Sequence, residues 1–211
     1  MDIPTLFILF LIFIIIFQHN LRKTDRMTNK SRKKFWEHEE NSLFARKSPI
    51  ESSLYISPAI DSLPRFSIEE FQAFGNIDLF KIQETCFDLA NKPMVNLSDM
   101  LNSDVRNKYG TSNLNTIEEY EINYTHYIKS LYQLAKGYYE LKMYPEAVKV
   151  LEEGIQVQTE IGDHILLLAS IYSELHDFAK FDALYEKTMG LNTLTKNTIV
   201  KNLEKLKEKN H

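Results

Sequence analysis

The sequence predicts an all-α protein: an N-terminal transmembrane helix, then a superhelical domain of stacked helical hairpins closed by a C-terminal capping helix. Three observations carry this. One pattern is written twice at a 34-residue offset, as Leu134-Ala135-x-x-Tyr138-x-x-Leu141-x-x-Tyr144 and Leu168-Ala169-x-x-Tyr172-x-x-Leu175-x-x-Phe178. That period suits a helix–turn–helix unit, which buries its apolar face only by stacking on a neighbour. Around these copies, apolar residues recur at steps of three and four, the spacing of one helical face. Ile3 to Phe17 (IPTLFILFLIFIIIF) is apolar on all sides and carries no charge.

Four segments follow: 1–21 as anchor, 22–66 as basic juxtamembrane stretch and Pro/Ser linker, 67–112 as helical lead-in, and 113–211 as repeats and cap. The apolar run, as a helix of roughly 17 residues, spans about 26 Å, slightly short of a ~30 Å hydrocarbon core. It lacks the positive n-region and small-residue cleavage site of a signal peptide. Arg22, Lys23, Arg26, Lys30, Arg32, Lys33 and Lys34 follow it, whereas only Asp2 and the α-amino group precede it. Basic flanks stay cytoplasmic, so the N-terminus is expected to be translocated and the rest of the chain to be cytoplasmic. The same basic run also reads as a contact for anionic lipid. Ser31 to Lys47 suits a short helix, with Phe35 and Trp36 either at the lipid interface or packed on the domain.

Pro49, Pro58 and Pro64 make Ser48 to Phe66 an extended connector, whose Leu54-Tyr55-Ile56 is apolar enough to lie against the domain. Ser67 and Glu70 have capping-box spacing. A helix is expected from about Asp78 to Asn91, ended by Pro93. Another is expected from Leu97 to Lys108, with Ser98 as cap and Gly110 as stop. Stepping back 34 residues from Tyr138 lands on Asp104, so the lead-in is either a degenerate capping element or a separate helical piece.

Thr116 to Leu141 keeps one apolar face, and Pro145 opens the next helix where its missing N–H costs nothing. Ala135, Ala147 and Gly154 are small where antiparallel helices approach. Leu131, Leu134, Ala135, Tyr138, Ala147, Leu151 and Gly154 resemble the signature positions of the tetratricopeptide repeat family. In the second unit Leu168, Ala169, Tyr172 and Tyr185 match. Phe181 and Thr188 stand where small residues are expected, and a Phe there should part the helices or turn outward. Thr159 replaces the usual proline. Lys196 to Lys209, with Ile199, Leu203 and Leu206 in a stripe, is the expected cap.

The resemblance implies a concave groove for a protein or peptide partner. The positions that would line it are Lys129, Tyr132, Lys136 and Tyr139 in the first unit and Leu166, Ser170 and Ser173 in the second. Lysines between tyrosines suit an acidic or carboxylate-ended peptide bearing an apolar or aromatic side chain; a solvated helix face is the competing reading. Chaperone-binding members of the family use a Lys and an Asn where this chain has Tyr132 and Lys136, so their ligand is not expected.

The net charge of −4 gives no case for nucleic acid. The single cysteine, Cys86, excludes an internal disulfide and reads as a small core hydrophobe. None of the six histidines falls in H-E-x-x-H or at zinc-ligand spacing with a cysteine, and no phosphate-binding glycine motif occurs. No cofactor, metal or catalytic residue is therefore expected. The expected role is a membrane-tethered, non-enzymatic adapter, with a structural subunit of a membrane complex as the alternative.

Overall fold

The computed structural model describes residues 10, 13–14, 17, 29–37, 40, 48–98, 100–191 and 193–209. From residue 68 onward its helices are α1 (Ile68–Ala73), α2 (Ile77–Ala90), α3 (Asn102–Tyr109), α4 (Leu114–Glu140), α5 (Tyr144–Gln156), α6 (Gly162–Glu174), α7 (Phe178–Met189) and α8 (Lys196–Lys209). The fold is all-α, with sequential helices packed antiparallel. Most of the expected N-terminal span lies outside the described residues; residues 10, 13, 14 and 17 are helical. Among the described residues no helix is long and apolar enough to cross a membrane.

The chain divides into two compact units, Met1–Pro49 with Met100–Leu114, and Ile50–Asp99 with Asn115–His211. In the first, residues 29–37 are helical and exposed. The helix α3 ends at Gly110, where φ is 76° and the N–H reaches Arg106 O at 2.9 Å. The Asn113 amide donates to Tyr109 O and to Ser48 O (3.1 and 2.6 Å), and Ser48 N–H donates to Tyr109 O (3.2 Å). This helix starts later than the sequence suggests. Ser98 caps nothing, because its N–H and hydroxyl both go to Asn96 Oδ1 at 3.1 and 2.6 Å. Leu97 is buried in non-helical chain.

In the second unit, four helices end in one kind of turn. After α4, Met143 N–H bonds Tyr138 O, Lys142 N–H bonds Tyr139 O, and Lys142 sits at φ 64°. After α6 the same bonds recur 34 residues on, Asp177 to Tyr172 and His176 to Ser173, with His176 at φ 57°. These are Schellman closures, which satisfy the last carbonyls of a helix through a left-handed residue. The turn after α5 repeats them (Thr159 to Gly154, Gln158 to Ile155, Gln158 at φ 64°), and so does the turn after α1 (Asn76 to Phe71, Gly75 to Gln72, Gly75 at φ 75°). Next to the turn after α1, the capping box of Ser67 and Glu70 starts α1 as expected.

One apolar core runs from Phe71 through Tyr138 and Leu151 to Leu203. The helix α2 meets α4 where Gly137 leaves room for Leu79 and where Tyr138 donates to Gln83 Oε1 at 3.2 Å. The ring of Phe71 stacks on that of Tyr138 at 6.3 Å. Between α4 and α5, Tyr127 donates to the buried Glu153 carboxylate (3.3 Å), and Tyr124 donates to the carbonyls just past the end of α5, Val157 O and Gln158 O (3.0 and 2.9 Å). Phe181 turns inward and is 3% exposed, so the apolar core accepts it and the outward alternative is excluded. The helix α8 has the expected bounds. It packs on α6 and α7, burying Ile199 and Leu203 and half-burying Leu206.

Residues 50–66 are a strap on this core, with Leu54-Tyr55-Ile56 against it as expected. Tyr55 and Val95 form an isolated antiparallel bridge, with Ile56 N–H to Met94 O at 3.0 Å and Asn96 N–H to Leu54 O at 3.3 Å. Further along, Ala59 N–H reaches Glu153 Oε1 at 3.0 Å, and the Gln83 amide pairs with both backbone groups of Phe66 (2.9 and 2.8 Å).

Candidate functional site: a groove across α4, α6 and α8

The groove arises because α4, α6 and α8 lie side by side, each donating a flank of its buried stripe. It is an open hollow of about 530 Å³. Tyr132 comes from α4, Asp163, Leu166, Leu167 and Ser170 from α6, and Asn202, Lys205 and Leu206 from α8. The floor is apolar, formed by the three leucines and the Tyr132 ring. Asp163 and Lys205 put opposite charges in the lining, and Ser170 and Asn202 supply neutral polar groups. No nucleophile stands beside a base here, and among the described residues no cluster suits a metal ion.

The seven positions named from the sequence separate into three sets. Tyr132, Leu166 and Ser170 meet in the groove. Lys129 and Lys136 are exposed on α4, outside the lining residues. Tyr139 and Ser173 do something else. Tyr139 donates its hydroxyl to Glu174 at 2.8 Å, which ties α4 to α6, and its ring lies 5.6 Å from that of Tyr144. The Glu174 carboxylate, accepting that bond, is the first reason the Tyr139 hydroxyl titrates above its ordinary value. Ser173 is 6% exposed, facing the core.

The contribution of α8 was hidden in the sequence. A 34-residue step from Leu166 and Ser170 lands on Val200 and Glu204, yet Asn202, Lys205 and Leu206 face the groove. Glu204 instead accepts from Tyr185 of α7 at 3.2 Å. The last helix thus packs beside α6 but out of register with the 34-residue sequence pattern. Its apolar stripe, Ile199-Leu203-Leu206, was the available signal, since residues beside a buried stripe border whatever hollow the helix closes.

Beneath the groove lies His164, fully buried, with its ring 6.4 Å from Tyr132. Its Nε2 is 2.8 Å from Leu151 O, and a carbonyl only accepts, so Nε2 carries the proton and Nδ1 is bare. Nδ1 is buried without a partner. Burial holds the imidazole down to about 4, against a smaller upward pull from Leu151 O. The ring occupies the space that Gly154 leaves open. Two other buried groups are shifted by desolvation first. The Cys86 thiol is pushed up to about 12, with Glu153 adding to it, and the Glu153 carboxyl is raised despite bonds from Ala59 and Tyr127. All three are core groups and none is among the residues that line the groove.

No protein family, no curated protein and no solved structure matches the chain. The groove is therefore read from its own residues.

Proposed function

We propose that the chain is a membrane-tethered adapter. In this reading the N-terminal apolar run anchors it, the helical domain stands on the cytoplasmic side, and α4–α5 and α6–α7 are two repeats of the tetratricopeptide type. A segment of another protein lies in the α4–α6–α8 groove, and no bond is made or broken. The observation that carries the reading is the groove itself: an open hollow built from three helices, in which three leucines and a tyrosine ring stand beside four polar or charged side chains that can orient a peptide. The 34-residue recurrence of both sequence and turn geometry supports the repeat reading. Charge preference comes from the rim, where exposed Lys129 and Lys136 favour an acidic segment, because Asp163 and Lys205 offset one another within the lining.

A photo-crosslinking residue at Ser170 of the full chain, in its own membrane, tests this. One partner should be captured from Ser170 and not from a probe at exposed Glu186 on α7. Lys136→Glu should reduce capture, more so at low salt. Capture from Glu186 alone, or from neither site, would overturn the groove reading. The apolar floor of Leu166, Leu167 and Leu206 also suits permanent burial against a membrane subunit. In that case the adduct survives high salt and Lys136→Glu changes nothing. Protease added outside intact cells should leave the helical domain whole; digestion from outside would reverse the proposed orientation.

A further inference from the structure

We propose that the helix at residues 29–37 lies on an anionic lipid bilayer, with Phe35, Arg32 and Trp36 directed at the headgroups. The inference goes beyond the groove and rests on the proposed anchor only for bringing a bilayer near. Every residue from 29 to 37 is exposed, so among the described residues this stretch has no packed face. In proteins it is packing of one face that stabilises most helices. The packed face is absent here although the material for one is present. Phe35 and Trp36 are 55% and 63% exposed, with their rings edge to face at 5.6 Å.

The arrangement around the helix axis specifies what would cover it. With 3.6 residues per turn, Arg32 falls between Phe35 and Trp36, while Lys30, Lys33, Lys34 and Glu37 share the other side. Lys33 and Glu37 are paired there at 3.7 Å. Aromatic rings settle at the boundary between headgroups and acyl chains. The stem of Arg32 can run along them while its guanidinium reaches lipid phosphate with two parallel donors. Lys33 is the nearest of the other cations to the aromatic side, about 60° around the axis from Trp36. Lys30 and Lys34 act from about a helix diameter away, comparable with the Debye length, so their attraction is weaker and salt-sensitive. Over residues 29–37 four basic residues stand beside one acidic residue, with Arg22, Lys23 and Arg26 before them and Glu39 and Glu40 after. An acidic protein would match the charge. It would leave unexplained why two exposed rings follow an uncharged apolar run by so few residues.

Trp36 is the only tryptophan in the chain, so its fluorescence reports this helix alone. The full chain is mixed with phosphatidylcholine vesicles, with or without phosphatidylserine, and followed by flotation, emission, acrylamide quenching and quenching by brominated lipid. On anionic vesicles, emission should shift to the blue, brominated lipid should quench it, and acrylamide access should fall several-fold below that on neutral vesicles. Arg32→Glu, Lys33→Glu and Lys34→Glu together should abolish this, since each basic residue near an anionic surface is worth roughly fivefold in binding. The thermal melt of the helical domain should not move, because residues 29–37 are exposed. If the chain floats on both vesicles while Trp36 keeps its aqueous emission, the inference fails and the anchor stands. Protection of Trp36 on anionic vesicles without flotation on neutral ones supports the inference and refutes the anchor. Absence of both refutes both. A blue shift produced by polyglutamate but not by vesicles assigns the helix to an acidic protein and overturns the inference.

Discussion

Replacing Gly154 by Ala sets two effects against each other. In a helix interior, Gly to Ala is favourable by about 1 kcal/mol. Here, however, the added methyl would overlap the His164 ring. Forcing a methyl into a packed core costs about 1–3 kcal/mol. The ring cannot swing clear without stretching its 2.8 Å bond to Leu151 O, and Nδ1 is already unpaired. Leaving a further buried polar group unsatisfied costs about 1–3 kcal/mol. The clash wins, and the net loss should be about 3 kcal/mol, a fall in melting temperature of roughly 10 °C for a chain of this size. The assay is thermal unfolding by circular dichroism of wild type, Gly154→Ala, His164→Ala and the double variant. Without the imidazole the methyl has room, so Gly154→Ala should turn neutral or stabilising, and the coupling between the sites should exceed about 2 kcal/mol. A rise in melting temperature for Gly154→Ala alone, or equal effects in both backgrounds, would refute the packing account. Gly137→Ala should cost less, because its methyl meets only the outer end of the Leu79 side chain.

His164 should make stability depend on pH. Its folded value near 4 lies below the ordinary 6.5, so on acidification the unfolded chain takes up the proton first. Its stabilisation is complete above about pH 6.5 and declines by something on the order of 3 kcal/mol down to about pH 4. Glu153 acts in the opposite direction, since its raised carboxyl is relieved by protonation, so the readout is the difference between wild-type and His164→Ala profiles; parallel profiles would refute the assignment. Tyr138→Ala removes a fully buried ring stacked on Phe71 and should cost about 3–5 kcal/mol, whereas Lys136→Glu, on an exposed position, should stay within about 0.5 kcal/mol in the same melts. Deleting residues 196–211 should uncover the faces of α6 and α7 that α8 covers and cause aggregation on a sizing column; a soluble, monomeric, equally stable truncation would show that α8 is no cap.

The local signals were the legible ones. The capping box of Ser67 and Glu70, Pro145 at the start of α5, Gly110 at the end of α3 and the stripe that bounds α8 all act within a turn or two of chain. Packing across the chain was not legible. Ser98 looked like a cap because nothing nearby shows that Asn96 claims it or that Val95 bridges to Tyr55. Gly154 read as a close approach of two helices, but the space belongs to a histidine ten residues on, from the following helix. The left-handed positions after α4, α5 and α6 are Lys, Gln and His, which carry no glycine signal, so the common turn emerged only from the backbone. Gly75 stands nearly two periods before Lys142. A single 34-residue step therefore landed on Asp104 and missed the matching turn after α1. Of the groove, the α4 and α6 residues Tyr132, Leu166 and Ser170 followed from the repeat. The α8 residues did not, because that helix is out of register.

The strap has a mechanical consequence. A pull that has passed the bonds of Ser48 to Tyr109 and Asn113 enters the helical core through residues 50–66, not through a helix end. The first bonds to feel it are those of Leu54 and Ile56 to the segment around Met94–Asn96, then Ala59 to Glu153, and last the Phe66–Gln83 pair. These attachments sit one after another along the strap, so tension from that end loads them singly, as in unzipping, rather than all at once in shear. Each yields at low force, and the strap lengthens before α1 is reached. Moderate tugging would therefore be absorbed as extension of residues 50–66, and the hairpins that build the groove would keep their shape.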